Sequence, residues 1–402
     1  MSERRGLQAA WVVVSLVMAS AATAQSFGRF TYGVVLPDIR ADLLDGSNSI
    51  AGALGTVNVA AYLIGTFAVS AVSSRLNQVD LIRIGMVLST GGLFVASFAT
   101  NAWLLGLTLF SMGFGGAMIW IPSPRVGAMA LSEKRRGLGV GLVGSGIGMG
   151  IVAAGWLATL MGNRYGTDSW RMVYRVEAIF GLVVLALGSV VFRTGESTTG
   201  TSGGFGGFGA LATIPGWKAL TGAYACYGFF YLLVIGYLVA RLEDDVGFSE
   251  ARASAMFSLI GLGATFGGLL LGPLSDRIGR RQTMMWGFAT FAGAIGAILT
   301  GQELIVAVGS LVVGLMFAGV PSTIAAYIVD TTSPERYGQA YAAATLAFGG
   351  AQAISPQIGG LIADLSGSFT LVFVVALVMA MLAAGVSSLL PTDPPRPADA
   401  RP

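Results

Sequence analysis

Twelve runs of about 20 apolar residues follow one another along this 402-residue chain, and no other feature limits the fold as strongly. They cover 8–36, 49–72, 81–99, 102–131, 137–161, 172–192, 219–239, 253–271, 283–300, 304–329, 339–362 and 369–390. A bilayer core of roughly 30 Å is crossed by about 20 helical residues, because a helix rises about 1.5 Å per residue. In hydrocarbon a spanning segment must satisfy its own backbone, which favours helices over isolated strands. The expected fold is therefore an all-α membrane protein with twelve transmembrane helices. Glycine and proline inside the runs fit this reading, since both are common in membrane helices.

Composition removes most other classes. Hydrophobic residues make up 54% of the chain and charged residues 11%, which is incompatible with a disordered chain. A net charge of +3 gives no basic field for nucleic acid. With no histidine and one cysteine, Cys226, the chain can form neither an internal disulfide nor a His-containing triad, an HExxH zinc site or a His-ligated haem. No acid–base or metal constellation stands out, so neither an enzyme nor a cofactor or metal site is expected. Cys226 reads as a small packing residue.

Lysine and arginine set the orientation. With the N-terminus inside, Arg4, Arg5, Arg75, Arg83, Lys134, Arg135, Arg136, Arg193, Lys218, Arg277, Arg280, Arg281, Arg336, Arg396 and Arg401 fall on the cytoplasmic side. The opposite loops hold Arg40, Arg164, Arg171, Arg241 and Arg252, together with Asp38, Asp42, Asp45, Glu243, Asp244, Asp245 and Glu250. Both termini are thus expected in the cytoplasm, and the protein in the cell (inner) membrane. Arg4-Arg5, an apolar run and Ala22-Thr23-Ala24 imitate a cleavable signal peptide. The run continues to Leu36 and has a counterpart in the second half, so a first spanning helix is the better reading.

That counterpart is part of a repeat with an offset near 200 residues. Gly28 and Phe30 match Gly228 and Phe230, Ser74-Arg75 matches Asp276-Arg277, and Ile121-Pro122-Ser123 matches Val320-Pro321-Ser322. Two six-helix halves are expected, at 1–192 and 219–402, joined by a glycine-rich cytoplasmic linker over 193–218. The linker contains a literal GxGxxG at Gly204, Gly206 and Gly209, but no strand precedes it, so dinucleotide binding is not implied.

Between the eighth and ninth runs stands Gly272-Pro273-Leu274-Ser275-Asp276-Arg277-Ile278-Gly279-Arg280-Arg281. With the twelve runs, the central linker and the repeat, this loop resembles the signature of the major facilitator superfamily in its second-half position. The stretches 27–32 and 348–360 resemble a poorly characterised bacterial branch, and the glycine-rich fifth run is similar to the superfamily's pattern. The resemblance implies a secondary transporter in which two bundles rock about a site near the midplane, with Asp276, Arg277, Gly279, Arg280 and Arg281 as a gating loop. At 70–80, Ser74 stands where that loop would carry its acid.

Arg29 is the sharpest candidate for a binding residue. It lies deep in the first run, where an arginine costs roughly 2.5–3.5 kcal/mol on insertion scales and should face a partner or a wet cavity. Gln25 and Tyr32 share its helix face at i−4 and i+3. Its planar fork suits a carboxylate, sulfonate or phosphate. A structural pairing with an acid or with carbonyls, or snorkelling, is the alternative. Tyr224, Tyr227 and Tyr231 form a stripe in the seventh run that either lines a cavity or packs. Asn58 and Tyr62 read as cavity or gate residues, or as helix–helix hydrogen-bonding groups. Trp120 beside Pro122 and Pro124 marks a kinked helix, with Arg125 one turn on. Gln352 and Gln357 flank Pro356 in a kinked eleventh helix and could form a substrate wall. Glu177 is the candidate for proton coupling, or else one side of an ion pair between helices. The expected activity is transport of a small organic anion by alternating access, coupled to protons, by a monomer in the bilayer. Efflux of amphipathic drugs is the alternative.

Overall fold

The computed structural model describes residues 2–72, 75–192 and 207–392. Among the described residues, eleven helices are long and apolar enough to cross a membrane. These are α1 (Ala10–Val34), α2 (Asn48–Val72), α3 (Gln78–Ala96), α4 (Ala102–Ala130), α5 (Arg136–Tyr165), α6 (Ser169–Val191), α7 (Trp217–Asp244), α8 (Glu250–Ile278), α9 (Arg280–Leu299), α10 (Glu303–Thr331) and α12 (Thr370–Ser387). Between the last two lies α11, Pro334–Ser366, which at 33 residues is long enough but less apolar. Its surroundings explain that: α11 packs between α2 and α7, so much of its surface meets protein instead of lipid. Among the described residues there are no strands.

The packing repeats with the sequence. α2 lies on α4 as α8 lies on α10, α3 on α4 as α9 on α10, and α3 on α6 as α9 on α12. Among the pairs that join the halves, α2 with α11 and α8 with α5 exchange under the same operation. One side-chain device is duplicated as well. Arg83 of α3 donates to the carbonyl of Phe192 at the end of α6, at 2.5 Å. Arg281 of α9 donates to that of Ser388 just past α12, also at 2.5 Å. Each guanidinium satisfies an orphan carbonyl at the negative end of a helix dipole.

The charges divide the bundle into a basic end, with Arg75, Arg83, Arg136, Arg277, Arg280 and Arg336, and an acidic end, with Asp38, Asp42, Asp244, Asp245, Glu250 and Asp364. The first half of the expected linker, to residue 206, lies outside the described residues. Its second half is folded: Gly207–Ala212 is a helix on α11, with Leu211 and Ile214 buried. Apolar side chains, not the glycines around them, decide its conformation.

Glycine spacing explains how closely the halves approach. Gly148, Gly155 and Gly162 of α5 recur every seventh residue, and a Cβ on them would overlap Thr265, Ser258 and Glu250 of α8. Toward the basic end the fit loosens. A Cβ on Gly141 would meet only Leu269, at 3.6 Å, and one on Gly144 would meet open space. α2 and α11 behave alike near the acidic end, where Gly52 lies against the Pro356 carbonyl and Gly360 against Asn48.

Candidate functional site

Arg29 sits in an unusual stretch of α1. Residues Ala22–Phe30 form a π-helical segment, wider than an α-helix and frequent at functional sites. Its neighbours make room. A Cβ on Gly150 of α5 would strike Ser26 and Ala22, and one on Gly146 would strike Met18. Ser26 ties the segment to α5 by donating to the Ile147 carbonyl at 2.7 Å. Asn58 of α2 donates to the carbonyls of Gly28 and Leu109 at 2.9 Å each, joining α1, α2 and α4.

The guanidinium of Arg29 is half-buried and under-used. Its Nη1 reaches Gln25 Oε1 only at 3.5 Å, and its plane lies near the rings of Tyr62 (5.2 Å) and Phe30 (5.8 Å). Its Nε and Nη2 are buried and, among the described residues, have no hydrogen-bond partner. These two donors form one straight edge of the guanidinium, the edge that grips both oxygens of a carboxylate. The structural pairing with an acid is not found: among the described residues Arg29 has no carboxylate partner.

Aromatic rings wall the other side. Tyr224, Tyr227 and Tyr231 run down α7 and stack on Phe348 of α11, at 4.6, 5.6 and 5.9 Å between centroids. Tyr227 donates to the Phe317 carbonyl at 2.8 Å, and Phe317 meets Phe30 edge-on. The Arg29 charge reaches Tyr62, Tyr231 and Tyr227. The structure thus gathers Arg29, Gln25, Tyr62, Tyr227 and Tyr231 about one place, while Tyr224 lies further along the stack.

Tyr32 and Asn58 line a small cavity between Arg29 and the acidic end, of about 40 Å³, with Ile235, Tyr237 and Pro356. It has room for water but not for a solute. Tyr32 closes it by donating to the Ala51 carbonyl at 2.8 Å. Trp120 packs on the cluster holding Val17, Ala21 and Ala24 at the point where α4 breaks, Ile121–Pro122. Arg125, beyond the break, is exposed at the basic end. α11 is continuous through Pro356. The proline removes the amide that would bond the Gln352 carbonyl, and the Ser355 hydroxyl donates to that carbonyl at 3.2 Å instead. The Gln352 side chain is buried, with Nε2 unpartnered among the described residues, and the backbone amide of Gln357 donates to the Thr56 hydroxyl of α2 at 3.2 Å.

Glu177 faces neither Arg175 nor the rings. It is fully buried in α6, where its Oε1 accepts from Thr31 of α1 at 2.6 Å, while Arg175 turns onto the ring of Phe98. Thr31 and Phe348 are the neighbours that the sequence did not single out. A hydroxyl two residues from Arg29 was the available signal for the first.

The model of one protein family, described as "Uncharacterised MFS-type transporter YbfB", matches residues 21–388. The chain belongs to this family of major facilitator transporters. Against rat monocarboxylate transporter 13 the transporter is 24% identical over 351 residues, 84% of this chain and 79% of that one. It is 28% identical to the sialic acid transporter NanX of Escherichia coli K12 over 149 residues, 36% of each chain. A match at 35% identity to a Haemophilus influenzae protein named for metabolite transport covers 89 residues, 22% of each chain and so about a fifth of that relative's length. Two crystal structures share the fold. One is a bacterial homolog of the lysosomal transporter Spinster, described as inward-facing and unoccupied (TM-score 0.75, 16% identity, 96% of each chain). The other is the nucleoside transporter NupG, crystallised as a point mutant (TM-score 0.78, 13% identity, 93% of this chain and 98% of that one). The transporter is therefore a multi-pass integral membrane protein of twelve helices in two halves.

At the acidic end the halves are latched. Arg40, in the short helix Leu36–Leu43, pairs with Asp244 of α7 at 2.5 Å and donates to Asn48 at 2.7 Å. Asp364 of α11 accepts from the amides of Asn48 and Ser49 at 3.0 and 2.7 Å, capping α2 from the opposite half. Asp38 takes the Ser169 hydroxyl. Burial raises its carboxyl above the ordinary range, against that hydrogen bond and together with neighbouring Asp42. Asp244→Asn is expected to loosen the latch. A cysteine at Ala51, which is buried just beneath, should then be alkylated up to about fivefold faster, the range of a partly exposed pair. High salt should accelerate the parent and leave the variant unchanged.

The loop predicted to gate is tied to its own half. Gly279, at φ 93°, turns α8 directly into α9. Arg280 pairs with Asp276 at 2.6 Å and Asp330 of α10 at 2.9 Å, and meets Ser275, while Arg277 is exposed. The cluster holds α8, α9 and α10 together as a unit.

Proposed function

We propose that the transporter moves a small organic carboxylate by alternating access, with Arg29 binding the carboxylate. The observation that carries this is the unpartnered Nε–Nη2 edge, buried inside the apolar helix α1. A guanidinium held there with its fork unmatched is costly without a ligand and well formed for one. Gln25, Tyr62 and the Tyr227–Tyr231 stack supply the polar and aromatic rim. Names of relatives agree, since monocarboxylates and sialic acid both carry the carboxylate this edge fits. Drug efflux would need a carboxylate facing an apolar cavity, and Glu177 faces α1 instead.

The basic end is the cytoplasmic one, by the excess of Lys and Arg there. With its acidic end latched and its basic end loosely packed, the transporter is in an inward-facing state in the cell inner membrane, with both termini inside. Proton coupling falls to Glu177, the fully buried acid. The test is uptake into proteoliposomes of labelled pyruvate, benzoate and N-acetylneuraminate, with and without an inward proton gradient. Saturable uptake of at least one, stimulated by the gradient and competed by the other acids but not by neutral sugars, is the expected result. Uptake of none of the acids would overturn it.

A further inference from the structure

We propose that Thr31 is the positioning residue that couples a proton on Glu177 to the placing of Arg29, by changing the partner of its hydroxyl. This rests on the reading of Arg29 and Glu177 above. The Thr31 hydroxyl has one hydrogen and two acceptors within reach: Glu177 Oε1 at 2.6 Å and the Ser26 carbonyl at 3.4 Å. It can also accept. Ser26 O is the carbonyl that closes the π-helical segment, because it already takes the Thr31 amide in the i→i+5 pattern.

The two protonation states of Glu177 therefore ask different things of Thr31. An ionised carboxylate can only accept, so it claims the hydroxyl hydrogen, and Ser26 O keeps the amide alone. A protonated carboxyl can donate its own hydrogen to Thr31 Oγ1. The hydroxyl hydrogen then turns to Ser26 O, and the wide turn is held by two hydrogen bonds. Loss of the proton favours relaxation toward α-helix, in which Ser26 O would bond the Phe30 amide. That change alters the direction in which Arg29, inside the turn, presents its Nε–Nη2 edge.

The surroundings leave the switch to these groups. From α1, Thr31 faces Glu177. On α6 itself, Tyr174 lies one turn away with its hydroxyl unpartnered, and Arg175 points elsewhere. α3 and α5, which also pack on α6, carry their charges near their ends, at Asp80, Arg83, Arg136 and Arg164. Asp38 and Asp42 meet α6 at Ser169 and Trp170, two turns outward. Among the described residues no cation is recorded against Glu177, and its Oε2 has no partner.

The test is amide hydrogen exchange of segment 22–31 in the full-length detergent-solubilised protein across pH, corrected for the chemical exchange rate and with no substrate present. Protection should fall about tenfold as pH rises. Glu177→Gln, whose amide donates at every pH, should be protected throughout. Thr31→Val should show no pH dependence, and Thr31→Ser should restore it. Flat protection in the parent, or a parental slope in Thr31→Val, overturns the proposal. In proteoliposomes, Glu177→Gln and Thr31→Val should lose accumulation of labelled pyruvate driven by a proton gradient, and Thr31→Ser should regain it. Accumulation retained in Thr31→Val overturns it too. Because exchange needs no substrate, a normal exchange pattern with no carboxylate flux would instead fault the functional reading.

Discussion

Arg29→Ala should cut saturable carboxylate uptake by at least about 30-fold while leaving the protein at least as stable as before. Removing one side of a buried, hydrogen-bonded charge pair costs about 2–5 kcal/mol, and each 1.4 kcal/mol is tenfold, so kcat/KM should fall by roughly 30-fold to several thousandfold. Arg29→Lys should recover little, because an ammonium presents a point charge where the site offers two parallel donors. The stability half of the prediction separates a ligand from a strut. Among the described residues Nε and Nη2 have no partner, so truncation gives up only the weak contact to Gln25 and the rings of Tyr62 and Phe30. It also removes the cost of two buried, unmatched donors. The Tm of the alanine variant is therefore expected to hold or rise, and added benzoate should stabilise the parent but not the variant. A sharp fall in Tm with uptake preserved would mean that Arg29 braces the helix.

Much of the architecture could be read from the chain because lipid enforces it. A spanning helix must be apolar for its whole length, so runs, loops and the few charges inside runs are visible in the letters. Arg29 was legible for that reason, and so was the α7 stripe, whose i, i+3, i+7 spacing places Tyr224, Tyr227 and Tyr231 on one face. What covers that stripe was not legible, because Phe348 arrives from α11, more than 100 residues away. Glu177 shows the same limit. Its neighbour in sequence, Arg175, cannot face it on a helix, and its partner, Thr31, lies 146 residues away. The π-helical turn is hidden in a different way. It needs a backbone pairing shifted by one residue, and the alanines, serine and glycine of Ala22–Phe30 would equally suit an α-helix. α11 was readable as a span but not as a continuous one, since the serine that takes over the carbonyl freed by Pro356 is one polar residue among several.

Two glycine substitutions should fail in different ways, and the difference tests how the halves move. Gly314 of α10 lies against the Ile260 carbonyl of α8, inside one half, where both helices are fixed partners in every state of a rocking bundle. Gly314→Val must push two packed backbones apart, and overpacking of this kind costs about 1–3 kcal/mol or more. Loss of Tm and yield is the expected result, with transport lost along with the fold. Gly52 of α2 also lies too close to the Pro356 carbonyl of α11 for a Cβ, but this contact joins the two halves near the acidic end. If the halves part there during each cycle, Gly52→Val penalises only the closed arrangement. The protein should fold with near-parental Tm, since the open arrangement relieves the clash, and a population shift of a few kcal/mol is enough to leave one state nearly empty. Uptake should fall at least about tenfold, and a cysteine at Ala51, buried under the Arg40–Asp244 latch, should react with a membrane-impermeant thiol reagent as if the latch were absent. The Asp244→Asn change should add little to that reactivity, because the end it loosens is already open. Parental uptake by Gly52→Val, or a loss of Tm equal to that of Gly314→Val, would show that α2 and α11 stay together throughout the cycle and that the halves pivot elsewhere.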